Sequence, residues 1–210
     1  MIETILFDLD GTIIDTNELI ISAFINVLSD HVPQPFTREQ IIPVMGIPLE
    51  EQLRIFTGKE DVTEFVKAYR EYNAKHHDDM VKLFPNVKEV IAKLYEQGFT
   101  LGVVTTKMRS STSRIMEMFD LGKYMSVLVT VDDVEHPKPH PEPVQKAVQQ
   151  LGVNPATALM IGDSPIDIQS AQAAGTKSAG VAWSLKGEEV LKKYNPDYIL
   201  HNMTDLYHIS

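Results

Sequence analysis

The sequence of 210 residues contains no cysteine. That excludes disulfide scaffolds, thiolate metal sites and cysteine nucleophiles, and it fits a reducing compartment without requiring one. Basic residues are in deficit, with 19 Lys and Arg against 29 Asp and Glu, a formal net charge of −10. Bulk binding to nucleic acid or to an anionic membrane surface is therefore not expected, although a local basic pocket is compatible with that balance. No apolar run approaches the roughly 18 residues of a membrane span. The first residues show no basic segment followed by an apolar one, and a cytoplasmic location is expected. There is no internal repeat and no low-complexity tract. What is there, 43% hydrophobic and 23% charged residues, suits one compact domain or a domain carrying a smaller insertion.

Short runs rich in Val, Ile and Leu alternate with stretches of helical period. The runs at 3–7, 99–105, 126–131, 158–161, 177–181 and 198–200 predict strands. Helices are expected at 86–97, 141–151 and 165–174, with Gly98, Gly152 and Gly175 as their C-terminal stops. This alternation predicts an α/β fold, a doubly wound parallel sheet with helices on both faces. From about residue 16 to 83 the pattern is helical, as in Ile20, Ala23, Phe24, Val27 and Leu28, and shows no strand. An all-helical cap is expected at 16–83, inserted into a core formed by 1–15 and 84–210.

The stretch "ILFDLDGTIID", residues 5–15, sets Asp8 and Asp10 at the carboxyl end of the first strand, where open α/β sheets bind ligands. In extended backbone two such positions face the same side, and two carboxylates so placed repel unless a cation sits beside them. Gly11 permits a tight turn that turns backbone N–H groups toward an anion, and Thr12 can continue it. Thr105, in "LGVVTTK", ends the next core strand. Its hydroxyl suits either a phosphoryl oxygen or a local backbone cap. Lys107 reads as a solvated side chain. In "HPKPHPEP", Lys138 stands between Pro137 and Pro139 on a segment stiffened by proline, a good place for a preorganised point charge. His136 and His140 beside it carry no assigned chemistry. In "MIGDSPIDIQSA", Asp163 ends an apolar strand, while Ser164, Pro165 and Asp167 read as N-cap, first helical residue and capping-box acid. In the cap, Arg70, Asn73 and His77 lie at i, i+3 and i+7 beside the apolar stripe Val62, Phe65, Val66 and Tyr69, either a solvated face or a ligand-facing one.

"FDLDGT" resembles the first motif of the haloacid dehalogenase-like (HAD) phosphohydrolases, and the other three segments resemble the remaining motifs in order. The resemblance spans the chain. It implies a Rossmann-like core with an inserted cap, Asp8 as the nucleophile that takes up the phosphoryl group, and Asp10 as general acid and then base. It further implies Thr105 and Lys138 as catalytic partners, and contacts to substrate from Gly11, Thr12 and Thr106. Asp8, the backbone carbonyl of Asp10 and Asp163 are the implied ligands of Mg²⁺, with Asp167 linked directly or through water, a hard oxygen-only set that suits this ion.

Residues 45–50, "MGIPLE", resemble the cap loop that sets substrate choice, with Gly46 at its turn. "YREYN", the "HHD" downstream, "VTVDDVEHPKP" and "GVAWSLKG" resemble the HAD-type pyrophosphatase subfamily, which implies pyrophosphate as substrate and contacts from Arg70, Asn73 and His77. Phosphoglycolate phosphatases share the motifs and are the runner-up. A phosphate-binding regulatory protein without turnover and a mutase stand as other classes. Trp183 is expected to pack rather than to bind. A monomer or weak homodimer is expected, acting on a small phosphate substrate.

Overall fold

The computed structural model describes residues 1–209. Chain order runs β1 (Thr4–Phe7), β2 (Ile14–Asp15), α1 (Asn17–Leu28), α2 (Arg38–Ile41), α3 (Leu49–Thr57), α4 (Thr63–Met80), β3 (Lys82–Leu83), α5 (Val87–Glu96), β4 (Thr100–Val104) and α6 (Arg109–Met118). It continues through β5 (Val127–Val129), α7 (Glu142–Leu151), β6 (Ala158–Gly162), α8 (Pro165–Ala174), β7 (Lys177–Val181), α9 (Glu188–Lys192) and β8 (Tyr198–Leu200). Six strands form one sheet in the order β5-β4-β1-β6-β7-β8. All its pairings are parallel.

The sheet follows from the apolar runs. In β1, Ile5 and Phe7 enter one core with Val90, Ile91 and Leu94 of α5, while Leu6 enters a second with Val144, Ala147 and Val148 of α7 and Ala171 of α8. Alternate side chains of a strand point to opposite faces, so a strand with three consecutive apolar residues needs cover on both. The expected glycine stops are present. Gly152 and Gly175 follow α7 and α8 at φ +65° and +78°, and Gly98 lies at φ +88° just past α5.

Two differences from expectation concern short or polar segments. The stretch 16–83 ends in a strand: Lys82–Leu83 pairs antiparallel with Ile14–Asp15, a two-residue ribbon where the chain leaves and re-enters the sheet's layer. Helix α6 carries no clear apolar stripe in "RSSTSRIMEM" and buries only Thr112, Ile115 and Met116. Between β2 and β3 the helices build a third core, in which Ile21, Phe24, Leu28, Leu53, Val62 and Val66 are buried. The stripe expected on α4 faces this core, where Tyr69 meets the Phe24 ring at 4.9 Å.

Because β1 has β4 on one side and β6 on the other, chain order reverses about it. The carboxyl end of β1 is thus the switch point where such sheets open a crevice, and Asp8 is the next residue.

Candidate functional site

Three strand ends converge on that crevice. β1 delivers Asp8, whose backbone N–H donates to the Ile161 carbonyl at 2.8 Å; β4 delivers Thr105, and β6 delivers Asp163. Lys138 comes from the proline-rich loop ahead of α7. It is buried, and its ammonium donates to Asp8 Oδ1 at 2.8 Å, Asp167 Oδ1 at 2.6 Å and the Val104 carbonyl at 3.0 Å. Those three acceptors use its three N–H groups.

The carboxylates of Asp8, Asp163 and Asp167 offer oxygens within 4.8 Å of one another. Burial raises the Asp8 carboxyl from 3.8 to about 7, against the pull of Lys138 and with a further push from Asp167 and Asp10. Burial likewise lifts Asp163 well above the ordinary carboxylate range, and Asp8 and Asp167 add to it. For Lys138, burial opposes the charge, but Asp167 and Asp8 outweigh it and hold the ammonium above its usual value. One cation therefore does not satisfy three acids. A hard dication with oxygen ligands fits the donor set.

Close approach of backbone to carboxylate explains two glycines. Gly11 has φ +81°, and a Cβ there would collide with Asp163 Oδ2; a Cβ on Gly162 would collide with the Asp167 side chain. Asp167 also accepts the Ser164 N–H at 3.0 Å through Oδ2. Its capping role and its place among the acids hold together.

Asp10 lies on the other side. Its Oδ1 accepts the Thr16 hydroxyl at 2.7 Å, and Lys107 Nζ reaches both of its oxygens at 3.1 Å. This corrects the reading of Lys107 as solvated, since only 13% of its side chain is exposed. A single Lys after two threonines shows no periodicity, so spacing alone did not separate it from a surface residue. Thr105 Oγ accepts the Lys107 N–H at 3.1 Å, so it is a local cap whose own proton stays available. The Thr106 hydroxyl donates to the Gly46 carbonyl at 2.7 Å, which ties it to the 45–50 loop.

Above the acids lies a cavity of about 590 Å³ lined by Asp8, Asp10, Asp163, Thr105 and Thr106 below and by Gly46, Tyr69, Arg70, Asn73 and His77 above. Gly11, Thr12, Lys138 and Asp167 do not line it. Thr12 is fully buried, and its hydroxyl has no partner among the described residues. Arg70 is half exposed and turned to Glu50 at 3.2 Å. His77 is buried, with Nδ1 on Asp78 at 2.9 Å and Nε2 unpartnered among the described residues. Ser110, Ser111 and Arg114 of α6 also line the cavity, and Arg114 donates to both oxygens of Asp78 at 2.8 Å. These were not anticipated, although Arg114 follows the two serines by three and four positions, which puts it on their helix face. Trp183 sits outside the cavity against Phe84, with ring centroids 5.9 Å apart.

A parallel sheet with a buried acid at the end of its first strand, a buried lysine against it and paired late acids under a helical insertion defines a class. The model of the haloacid dehalogenase-like hydrolases matches residues 5–181, and the chain belongs to that family. A protein named pyrophosphatase PpaX from Bacillus cereus (strain AH820) is 45% identical over 205 residues, covering 98% of this chain and 94% of its own. Among solved structures, a haloacid dehalogenase-like hydrolase from Bacteroides fragilis superposes with a TM-score of 0.88 at 28% identity, covering 98% of this chain and all of that one. A predicted phosphoglycolate phosphatase from Haemophilus somnus reaches 0.83 at 25% identity, over 99% and 97%. Among the described residues no helix is long and apolar enough to cross a membrane.

Proposed function

We propose that this hydrolase cleaves inorganic pyrophosphate to phosphate through an aspartyl phosphate on Asp8, under a cap formed by residues 16–83 on a core of 1–15 and 84–210. The observation that carries the reading is the floor of the cavity: Asp8 sits against a buried lysine beside two further acids, with Asp10 held separately a short way off. A carboxylate in that position takes up the phosphoryl group, which splits one displacement into two easier ones. Lys138 is already in place and needs no reordering as charge shifts from Asp8 to the phosphoryl oxygens. Asp10 protonates the leaving oxygen and then takes a proton from the water that attacks Asp8-phosphate. Lys107 and Thr16 fix its carboxylate for both steps, and the Thr105 hydroxyl donates to a phosphoryl oxygen. Asp8, Asp163 and Asp167, with the Asp10 carbonyl, would hold Mg²⁺, which neutralises charge on the transferring group when bound.

Pyrophosphate is favoured because the relative at 45% identity carries that activity in its name. The cavity's far side presents Arg70 and Arg114, two guanidinium groups suited to a departing phosphate once freed from Glu50 and Asp78. A phosphoglycolate phosphatase is the second reading, favoured by the Haemophilus somnus structure. Phosphate release by the purified protein with Mg²⁺, compared across pyrophosphate, phosphoglycolate, sugar phosphates and nucleotides, tests both. The reading requires the highest kcat/KM on pyrophosphate; a larger value on phosphoglycolate replaces it with the second.

A further inference from the structure

The cap-side wall of the cavity includes Met45, Gly46, Ile47 and Pro48, and this segment follows a single 3₁₀ turn, Ile42–Val44. The end of such a turn leaves carbonyls without partners. Here three carbonyls converge on one ammonium, that of Ile42 while also accepting the Met45 N–H at 3.3 Å. Lys186, which lies more than 140 positions along the chain between β7 and α9, donates to the carbonyls of Ile42 at 2.7 Å, Met45 at 2.8 Å and Pro43 at 3.2 Å. An ammonium has three N–H groups, and all three are committed.

The lysine is itself fixed to the floor of the site. Its backbone N–H donates to Ser184 Oγ at 3.1 Å, and the Ser184 hydroxyl donates to the backbone carbonyl of Asp163 at 2.6 Å. On the same segment, Gly46 lies over Ser164, whose Oγ would be 3.2 Å from a Cβ at that position. A short route therefore runs from the acid at the end of β6, through Ser184 and Lys186, to the wall that faces the substrate. Lys186 does not line the cavity, so whatever it does there it does through the backbone it holds.

We propose that Lys186 is a positioning residue for specificity, latching the Met45–Pro48 wall against the core so that the cavity favours a compact diphosphate over bulky phosphomonoesters. The choice of small substrate rests on the pyrophosphate reading; the latch does not. Replacing the ammonium by a methyl group leaves three carbonyls facing an apolar side chain, and the wall is then free to move away. K186M should raise KM for pyrophosphate about tenfold, the scale of a lost charged hydrogen bond, with kcat changed much less. It should leave kcat/KM for p-nitrophenyl phosphate equal or higher, and K186R, which keeps the charge and several donors, should recover part of the loss.

The direct measurement is hydrogen exchange of residues 41–48 in wild type, K186M and K186R, alongside these kinetics. Faster exchange in K186M, partly reversed in K186R, together with the KM change is the expected result. Unchanged exchange overturns the latch whatever the substrate, and faster exchange without a change in KM ratio overturns the specificity role. K186Q, which retains N–H donors without the charge, gives the same comparison should K186M fold poorly. If wild type hydrolyses p-nitrophenyl phosphate but not pyrophosphate, the substrate reading falls while the exchange result still judges the latch.

Discussion

Asp8 carries its charge where the fold has removed most of the water, and its partners divide between one that welcomes the charge and two that resist it. The net effect is a carboxyl raised from 3.8 to about 7. In metal-free protein the folded state therefore keeps a proton that the unfolded chain releases near pH 4. The stability this contributes is present below about pH 4 and is lost as pH rises through about 7. Asp8→Asn cannot ionise, so its melting temperature relative to wild type should be higher at pH 7.5 than at pH 5 when both are measured in chelator. A difference that does not vary with pH would contradict the cause given for the shift. The same variant should retain the fold and lose turnover, because an amide is not a phosphoryl acceptor.

Lys107 makes a second prediction at this scale. Its two contacts to Asp10 at 3.1 Å orient the acid without touching Asp8. Lys107→Met should lower kcat by a large part of the roughly 10²-fold that a positioned general acid contributes, with melting temperature little changed. Wild-type kcat in that variant would show that Asp10 is held well enough by Thr16 alone.

Among the elements, the join between β6 and α8 is the tightest. Gly162 approaches Asp167 so closely that Gly162→Ala must move the start of α8, and with it the acid that Lys138 contacts. An overpacked site of this kind costs about 1–3 kcal/mol, and activity should fall with it. Gly175→Ala is the control. It lies in the left-handed region at the other end of the same helix, with its nearest atom at 3.9 Å, so it should cost about 1–2 kcal/mol by conformation alone and leave kcat/KM unchanged. Urea unfolding and steady-state kinetics on the pair separate the two effects; equal loss of activity in both would remove the special role of Gly162.

The elements also show what a sequence can reveal. The strand expected at 158–161 was legible because a parallel strand buried on both faces is apolar at every position, and helix ends were legible because glycine alone enters the left-handed region freely. β2 and β3 have two residues each and carry no pattern. Helix α6 was missed because its face toward the cavity is Ser110, Ser111 and Arg114, polar where a packing helix is apolar. At the site, the acids and Lys138 were legible as residue types in a fixed order. Lys186 was not, because its partners are backbone carbonyls of the cap, which no side-chain identity encodes.

At the scale of the molecule, three separate apolar clusters among the described residues divide the work: two sandwich the sheet and one sits among the helices of 16–83. Asp8 and Asp163 thus stand on sheet strands whose packing is separate from that of the helical part. The clustered acids at the meeting of these parts could together hold a divalent cation. Added Mg²⁺ should raise the melting temperature, and more so at pH 7.5 than at pH 5, because the carboxyls must give up protons to bind it. Chelation should abolish turnover and Mg²⁺ should restore it; full activity in excess chelator with metal loss confirmed would contradict this.

If phosphorus passes through Asp8, Asp10→Asn offers the means to see it. Without the base for the second step, the phosphoenzyme should build up when the leaving group is phosphate, which needs little protonation to depart. Rapid acid quench of Asp10→Asn after mixing with radiolabelled pyrophosphate and Mg²⁺, followed by peptide mapping, should place the label on Asp8 within a single turnover. Phosphate release by wild type with no label on Asp8 at any time in either protein, or label on another acid of the site, would contradict it.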